Sequence, residues 1–158
     1  MKFEKFVLES NRLLQSFDKK VVKVIEDPLI LAYIGDAWFS VYVRNRLVEQ
    51  GNFKVRVLQN LESKIVSAPC QALAWYGLES VWTEEEKGWF RRGRNASPTR
   101  TRAGADYRTS TGYEAILGFL IQTNQKERLI EIAEHSFQVI IEHLKNKGGS
   151  SCDKGSTN

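Results

Sequence analysis

The segment Leu31-Ala-Tyr-Ile-Gly-Asp-Ala-Trp-Phe-Ser-Val-Tyr-Val43 is apolar almost all the way around a helix and carries one acid, Asp36. It follows Asp27-Pro28, a typical helix N-cap with proline in the first turn, and precedes Gly51, a typical C-terminal glycine. Apolar residues on every side predict a central, buried helix. A carboxylate within such a helix is costly unless another group neutralises it.

A second apolar segment, Thr111-Gly-Tyr-Glu-Ala-Ile-Leu-Gly-Phe-Leu-Ile121, also carries one acid, Glu114. Two carboxylates that converge from different helices would most naturally share a divalent cation. Each acid alone also has a structural explanation, because Asp36 could accept hydrogen bonds from a helix N-terminus or an arginine, and Glu114 could be partly exposed. Glycines beside both acids favour the pair, since glycine weakens a helix unless another backbone approaches closely.

Helical spacing of apolar residues continues along the chain, and no segment has the alternation of a strand. We therefore predict an all-α fold, and 158 residues are enough for one domain. The predicted units are an N-terminal helix over 1–26, a helical domain over 27–145 and a disordered polar tail over 146–158. Thr83-Glu-Glu-Glu86 predicts a capping box, and Ser110 or Thr109 is expected to cap the helix of Glu114.

Arginine is concentrated between the two acids. Residues 88–112 contain Arg91, Arg92, Arg94, Arg100, Arg102 and Arg108 against one acid, Asp106. Arginine suits bidentate contact with phosphate, so the cluster favours a nucleic-acid ligand. The alternative is a solvated basic loop over residues 95–106. Together with paired carboxylates and a hard metal ion, the cluster suggests phosphodiester chemistry.

Other classes of protein receive no support from the sequence. No apolar run approaches the roughly 20 residues that cross a membrane, and the first residues lack the pattern of a signal peptide. The two cysteines have no metal-type spacing and do not suggest a disulfide framework. We expect a cytoplasmic protein, or one in a plastid or other organelle, with no membrane partner.

Five ordered segments resemble those of a known family. The two acidic segments resemble the signatures of ribonuclease III, in which Gly-Asp follows an apolar triplet. Three more resemble Mini-ribonuclease III, a small family that has a ribonuclease III domain and no double-stranded-RNA-binding domain. These are Ile65-Val-Ser-Ala-Pro-Cys-Gln-Ala72, Arg92-Gly-Arg-Asn-Ala96 and Tyr107-Arg-Thr-Ser-Thr111. Order and spacing agree from about residue 27 to residue 129.

The resemblance implies an all-α ribonuclease III endonuclease domain that acts as a homodimer on double-stranded RNA. It implies Mg²⁺ as cofactor, with Mn²⁺ as a substitute, and products with 5′-phosphate and 3′-hydroxyl ends. Maturation of 23S ribosomal RNA is the implied role, in a ribosomal-protein or pre-ribosome context. Each subunit would contribute one catalytic centre and cut one strand.

The same resemblance assigns roles to residues. Asp36 matches the signature aspartate and Glu114 the distal glutamate, so both are expected to be catalytic and to bind the metal. Tyr33 matches an aromatic position that packs across the dimer, and an apolar patch around Tyr33, Trp38 and Phe39 would fit such an interface. The candidate RNA-binding residues are Ser67, Gln71, Arg92, Arg94, Asn95, Arg100, Arg102 and Arg108.

Three positions depart from the ribonuclease III pattern. Two acids of full-length ribonuclease III are replaced by Ala32 and Thr111, which resembles the reduced arrangement of Mini-ribonuclease III. Fewer charged ligands predict weaker metal binding, with more of the shell left to water and RNA. A glutamine, Gln59, stands where the family usually has histidine. The alternative function is a ribonuclease-III-like RNA-binding module that does not cleave and serves ribosome assembly.

Overall fold

The computed structural model describes residues 2–17, 24–98 and 104–149, and these residues form α-helices without any β-strand. The helices are α1 (Lys2–Gln15), α2 (Pro28–Val48), α3 (Val55–Ile65), α4 (Ala68–Gly77), α5 (Glu84–Ala96), α6 (Gly104–Gln122) and α7 (Lys126–Gly149). The predicted all-α fold is confirmed. None of the helices in the described ranges has the length and apolar character needed to span a membrane.

Helix α6 lies at the centre of the fold and packs against α2, α4, α5 and α7. Its residues 109–113 and 115–120 are all buried, which explains why its sequence is apolar on every side. Helix α2 has one fully buried face, which carries Leu31, Phe39 and Val43. The two helices that bear the predicted acids therefore both contribute a large share of the core.

The predicted caps fix the ends of α2 and α5. The Asp27 carboxylate accepts a hydrogen bond from the Leu29 backbone N–H at 2.9 Å. Thr83 and Glu86 form the reciprocal bonds of a capping box. Glu86 also accepts two hydrogen bonds from Arg128 of α7, at 2.8 and 3.0 Å. These contacts anchor the start of α5 to the last helix.

Helix α6 begins earlier than its sequence predicts. Thr109 and Ser110 lie inside the helix, so the prediction that one of them is its N-cap is wrong. Their hydroxyls donate to the backbone carbonyls of Ala105 and Tyr107, at 3.0 and 2.8 Å. Such bonds to the preceding turn let threonine and serine occupy a helix interior. The α6 helix consequently reaches back to Gly104.

The ends of the chain also differ from the prediction. Helix α1 ends at Gln15 and residues 24–27 are not helical, so one continuous helix over 1–26 is wrong. Helix α7 continues to Gly149, past the predicted start of the tail at residue 146. The remainder of that tail, 150–158, lies outside the described residues. Helix α1 packs against no other described helix.

Candidate active site

The candidate site forms where α2 crosses α6. A Cβ atom built on Gly35 would lie 2.0 Å from the backbone carbonyl oxygen of Glu114, and one built on Gly118 would lie 2.0 Å from that of Leu31. Real Cβ atoms do not approach an oxygen so closely, so both positions require glycine. The two backbones therefore touch at consecutive turns, which brings Asp36, the neighbour of Gly35, beside Glu114.

The two carboxylates lie in different surroundings. Asp36 is exposed at the edge of the buried face of α2, whereas Glu114 is half-buried on α6. Burial raises the pKa of Glu114 to about 8, and the negative charge of Asp36 adds to the increase. A hydrogen bond with the Gln71 side chain lowers that pKa in part. The pair thus combines one accessible carboxylate with one that holds a proton near neutral pH when no cation is present.

Glu114 is partly exposed, as its structural alternative expects, whereas the structural alternative for Asp36 is not observed. Asp36 accepts no side-chain or helix N-terminal hydrogen bond and forms no ion pair within the ranges that the structure describes. Ala32 and Thr111, which replace the two further acids, are both buried. The Thr111 hydroxyl donates to the Tyr107 carbonyl at 2.9 Å. Asp36 and Glu114 are therefore two neighbouring carboxylates that repel each other and have no basic partner in the described ranges.

The donor set fits a hard divalent cation that retains much of its water. Carboxylate oxygens are the ligands that Mg²⁺ prefers, and Mg²⁺ is commonly held by one or two of them. No group of three or more histidine, cysteine, aspartate or glutamate side chains converges among the residues described. A zinc site of the usual three or four protein ligands therefore has no counterpart in that part of the chain.

Gln71 does not lie where its predicted role requires. It is 1% exposed, so the prediction that it contacts RNA directly is wrong. Its Nε2 donates to the Val66 carbonyl at 3.0 Å, and the same side chain interacts with Glu114. The burial follows from the packing of α4 against α6, which the local sequence does not reveal. Ser67 is partly exposed at the start of α4, and its hydroxyl donates to the Lys64 carbonyl at 2.7 Å.

Three of the predicted RNA-binding residues lie together. Arg94, Asn95 and Arg108 line one cleft of about 640 Å³ between the end of α5 and the start of α6. The exposed Tyr76 of α4 also lines it, and no local pattern in the sequence marks this residue. No salt bridge occupies Arg94 or Arg108 within the described ranges. The cleft therefore offers two guanidinium groups and an aromatic ring to a ligand.

The other predicted arginines are placed differently. Arg92 lies over the ring of Trp89, with its guanidinium carbon 4.4 Å from the ring centroid. It lines a separate cleft of about 750 Å³ beside Phe119 and Gln122. The i, i+3 spacing of Trp89 and Arg92 on one helix is the signal that sequence reasoning missed. Arg100 and Arg102 lie outside the described residues.

The predicted interface residue Tyr33 is 80% exposed. Exposed apolar side chains at helical spacing extend its stripe along α2, namely Ile30, Val41 and Val48. Phe39 belongs to the core, so the predicted patch around Tyr33, Trp38 and Phe39 is wrong in Phe39, while Trp38 is partly buried against the core. The apolar stripe lies on the opposite face of α2 from Phe39.

Comparison with known proteins gives a consistent result over the core helices. The family model described as "Ribonuclease III domain" matches residues 29–125. This range contains α3, α4, α5, α6 and nearly all of α2, and therefore both acids. Helices α1 and α7 lie outside it.

Three curated relatives are each similar to the chain over most of their length, and all three carry the name Mini-ribonuclease 3. The relative from Thermoanaerobacter sp. is 43% identical over 118 residues, which are 73% of this chain and 83% of the relative. The relative from Symbiobacterium thermophilum is 40% identical over 110 residues, which are 68% of this chain and 85% of the relative. The relative from Enterococcus faecalis is 41% identical over 109 residues, which are 66% of this chain and 83% of the relative.

A solved structure supports the fold. The X-ray crystal structure of a protein from Fusobacterium nucleatum superposes with a TM-score of 0.64 and is 24% identical in sequence. The match covers 75% of this chain and 93% of that one. At this level of identity the likeness concerns the helical architecture alone.

Proposed function

The chain belongs to the Mini-ribonuclease 3 group of ribonuclease III domains, and on that premise we propose that it is a metal-dependent endonuclease for double-stranded RNA. The observation that carries the proposal is the crossing of α2 and α6. Gly35 and Gly118 allow the two backbones to touch, which brings Asp36 beside Glu114. Two carboxylates without a basic partner, together with an arginine-lined cleft at the start of the same helix α6, suit hydrolysis of a phosphodiester.

Asp36 and Glu114 would hold Mg²⁺, or Mn²⁺ in its place. The chemistry that such an ion supplies when bound is activation of a water molecule and neutralisation of charge at the scissile phosphate. Asp36 is exposed, so a cation can reach its carboxylate from solvent. Glu114 must first lose its proton, because its pKa is about 8 without a cation. Replacement of two family acids by Ala32 and Thr111 leaves more of the metal shell to water and RNA.

The arginine-lined cleft supports a grip on the RNA backbone. Arg94 and Arg108 contribute two charges that can pair with phosphates, and Asn95 offers an amide for a sugar or phosphate. A-form RNA is recognised mainly through its shape, phosphates and 2′-hydroxyl groups. Binding through such contacts is steeply dependent on salt. Arg92, Arg100, Arg102 and Ser67 complete the proposed set of RNA-binding residues.

We propose a homodimer formed through the exposed stripe of α2. Tyr33 lies three residues before Asp36 on this helix, so an interface there would be coupled directly to the site. A two-fold axis through the stripe would give two identical sites, one for each strand of a duplex. The proposed substrate is a stem of the 23S ribosomal RNA precursor, cut in a pre-ribosome context. The cytoplasm is the corresponding place of action.

The test is incubation of the protein with a double-stranded ribosomal RNA stem and with its separated strands, in Mg²⁺ and in chelator. The proposal predicts cleavage of the duplex only, in Mg²⁺ only, and products with 5′-phosphate and 3′-hydroxyl ends. Binding of the duplex without any cleavage would replace the proposal with the non-cleaving RNA-binding module. Cleavage that persists in chelator would overturn the metal-dependent mechanism.

A further inference from the structure

Gln71 is a buried amide beside one of the two candidate metal ligands. It is 1% exposed on α4, the helix that packs against the Glu114-bearing helix α6. Its Nε2 donates to the Val66 carbonyl at 3.0 Å, and its Oε1 has no hydrogen-bond partner among the residues described. A buried amide whose oxygen has no partner costs more free energy than an apolar side chain there, so an amide at this position calls for a role beyond packing.

The Val66 carbonyl fixes the orientation of this amide. Because a carbonyl oxygen can only accept, the nitrogen end of Gln71 must face Val66, and a flipped amide would place two acceptors together. The amide nitrogen carries two protons, and only one is needed for Val66. The second is available to Glu114, with which the side chain interacts. With this orientation the amide can serve Glu114 as a donor, and not as an acceptor.

Glu114 has few other constraints. No lysine, arginine or histidine pairs with it in the described parts of the chain. The Glu114 side chain has three rotatable bonds. If no other group holds it in one conformation, metal binding must offset the conformational entropy that the side chain loses. The Gln71 amide is tethered at Val66 and buried on α4, so it is a rigid partner for this purpose.

We propose that Gln71 is a positioning residue that orients the Glu114 carboxylate for the divalent cation, and that it does not contact RNA. The inference rests on the proposed metal site at Asp36 and Glu114. It predicts that loss of the amide weakens metal binding and leaves RNA binding unchanged. A residue with only a packing role would leave the metal affinity unchanged when its volume is conserved.

The experiment compares the wild type with Gln71→Met, whose side chain has a similar volume and no hydrogen-bond donor. Titration of the free protein with Mg²⁺ and with Mn²⁺, followed by calorimetry and by the melting temperature, measures metal binding without RNA. Loss of such a supporting hydrogen bond typically weakens a metal site roughly 10-fold or more. The half-saturating Mg²⁺ concentration for cleavage should rise by a similar factor. Affinity for duplex RNA in chelator should stay within about twofold.

Ser63→Ala is the control, because Ser63 is exposed on α3, outside the proposed site, and its hydroxyl donates to the Gln59 carbonyl at 2.9 Å. It should leave metal binding unchanged. If Gln71→Met fails to fold, Gln71→Asn keeps an amide but withdraws it by one carbon, and should weaken metal binding in the same way. In a Glu114→Gln background, the Gln71 substitution should have no further effect on metal binding.

Two results would overturn the inference: unchanged metal binding in the folded Gln71 variant, or a loss of RNA affinity with unchanged metal binding. Failure of the proposed function has a different signature. In that case the wild type itself cuts no RNA, while the metal titrations still decide the role of Gln71.

Discussion

The α-carbon of Gly35 lies against the backbone carbonyl of Glu114, so closely that a Cβ at position 35 would be 2.0 Å from that oxygen. The same carbonyl belongs to the residue whose side chain is a candidate metal ligand. The position of Glu114 relative to Asp36 is thus fixed by contact between backbones. This relationship accounts for a glycine in the middle of an otherwise apolar helix, where it is intrinsically unfavourable.

Gly35→Ala should destabilise the protein severely, because the clash is with backbone that cannot rotate away. We expect a loss of roughly 3 kcal/mol or more in the free energy of unfolding, measured by urea denaturation. Gly88→Ala is the control, since a Cβ at that position of α5 meets nothing within 4 Å. It should be neutral or stabilise the helix by up to about 1 kcal/mol. Equal effects of the two substitutions would contradict the crossing.

Glu114 should make the metal-free protein less stable as the pH rises. An unfolded chain ionises this carboxyl near pH 4.5, whereas the folded protein retains the proton up to about pH 8. The folded state therefore binds more protons in this window, so the contribution of this group to stability is complete below pH 4.5 and is lost towards pH 8. With chelator present, Glu114→Gln should melt roughly 5 °C higher than the wild type at pH 8.5. At pH 4.5 the two should melt together, and a constant difference across the range would contradict the pKa.

Metal binding should release a proton from Glu114 below pH 8. A cation requires the ionised carboxylate, while burial and the charge of Asp36 keep the carboxyl protonated in its absence. Calorimetric titration with Mn²⁺ at pH 6.5, in buffers of different ionisation enthalpy, should show a release of about one proton. At pH 9 the release should vanish. A proton count that does not change with pH would show that Glu114 is already ionised.

Arg94→Ala and Arg108→Ala should each weaken RNA binding through loss of a phosphate contact. The slope of log K against log salt concentration should fall in magnitude by about 1 for each substitution, when binding to an RNA duplex is measured in chelator. Arg12→Ala removes the same charge from α1, outside the matched residues 29–125, and should leave the slope unchanged. If Arg12→Ala changed the slope by the same amount, the proposal that RNA phosphates bind specifically in the Arg94–Arg108 cleft would be contradicted.

Much of the fold could be predicted from local pattern. The predicted caps at Asp27 and Thr83 are confirmed. They could be predicted because a cap depends only on residues within one turn of itself. The pattern alone places the start of α6 too late, because Thr109 and Ser110 suit an N-cap as well as they suit bonding to the preceding turn. Helix boundaries of this kind depend on how the segment packs.

In the candidate site, some residues could be predicted from the sequence and others could not. Asp36 and Glu114 could be proposed from sequence, since an acid in an apolar helix is unusual and both match a family signature. The role of Gln71 is not predictable in this way, because its burial depends on where α4 meets α6, a contact between residues far apart in sequence. The burial of Phe39 escapes prediction for a similar reason. In a helix that is apolar on every side, composition does not reveal which side faces the core.

The most direct test of the central claim is the rate at which a labelled RNA duplex is cut in Mg²⁺ by the wild type, Asp36→Asn, Glu114→Gln and Gly88→Ala. The paired-carboxylate account predicts at least a roughly 100-fold loss of rate in each acid variant, equal to about 3 kcal/mol of transition-state stabilisation. Gly88→Ala should retain the wild-type rate. Undiminished cleavage by both acid variants, with their folding confirmed, would contradict the assignment of Asp36 and Glu114.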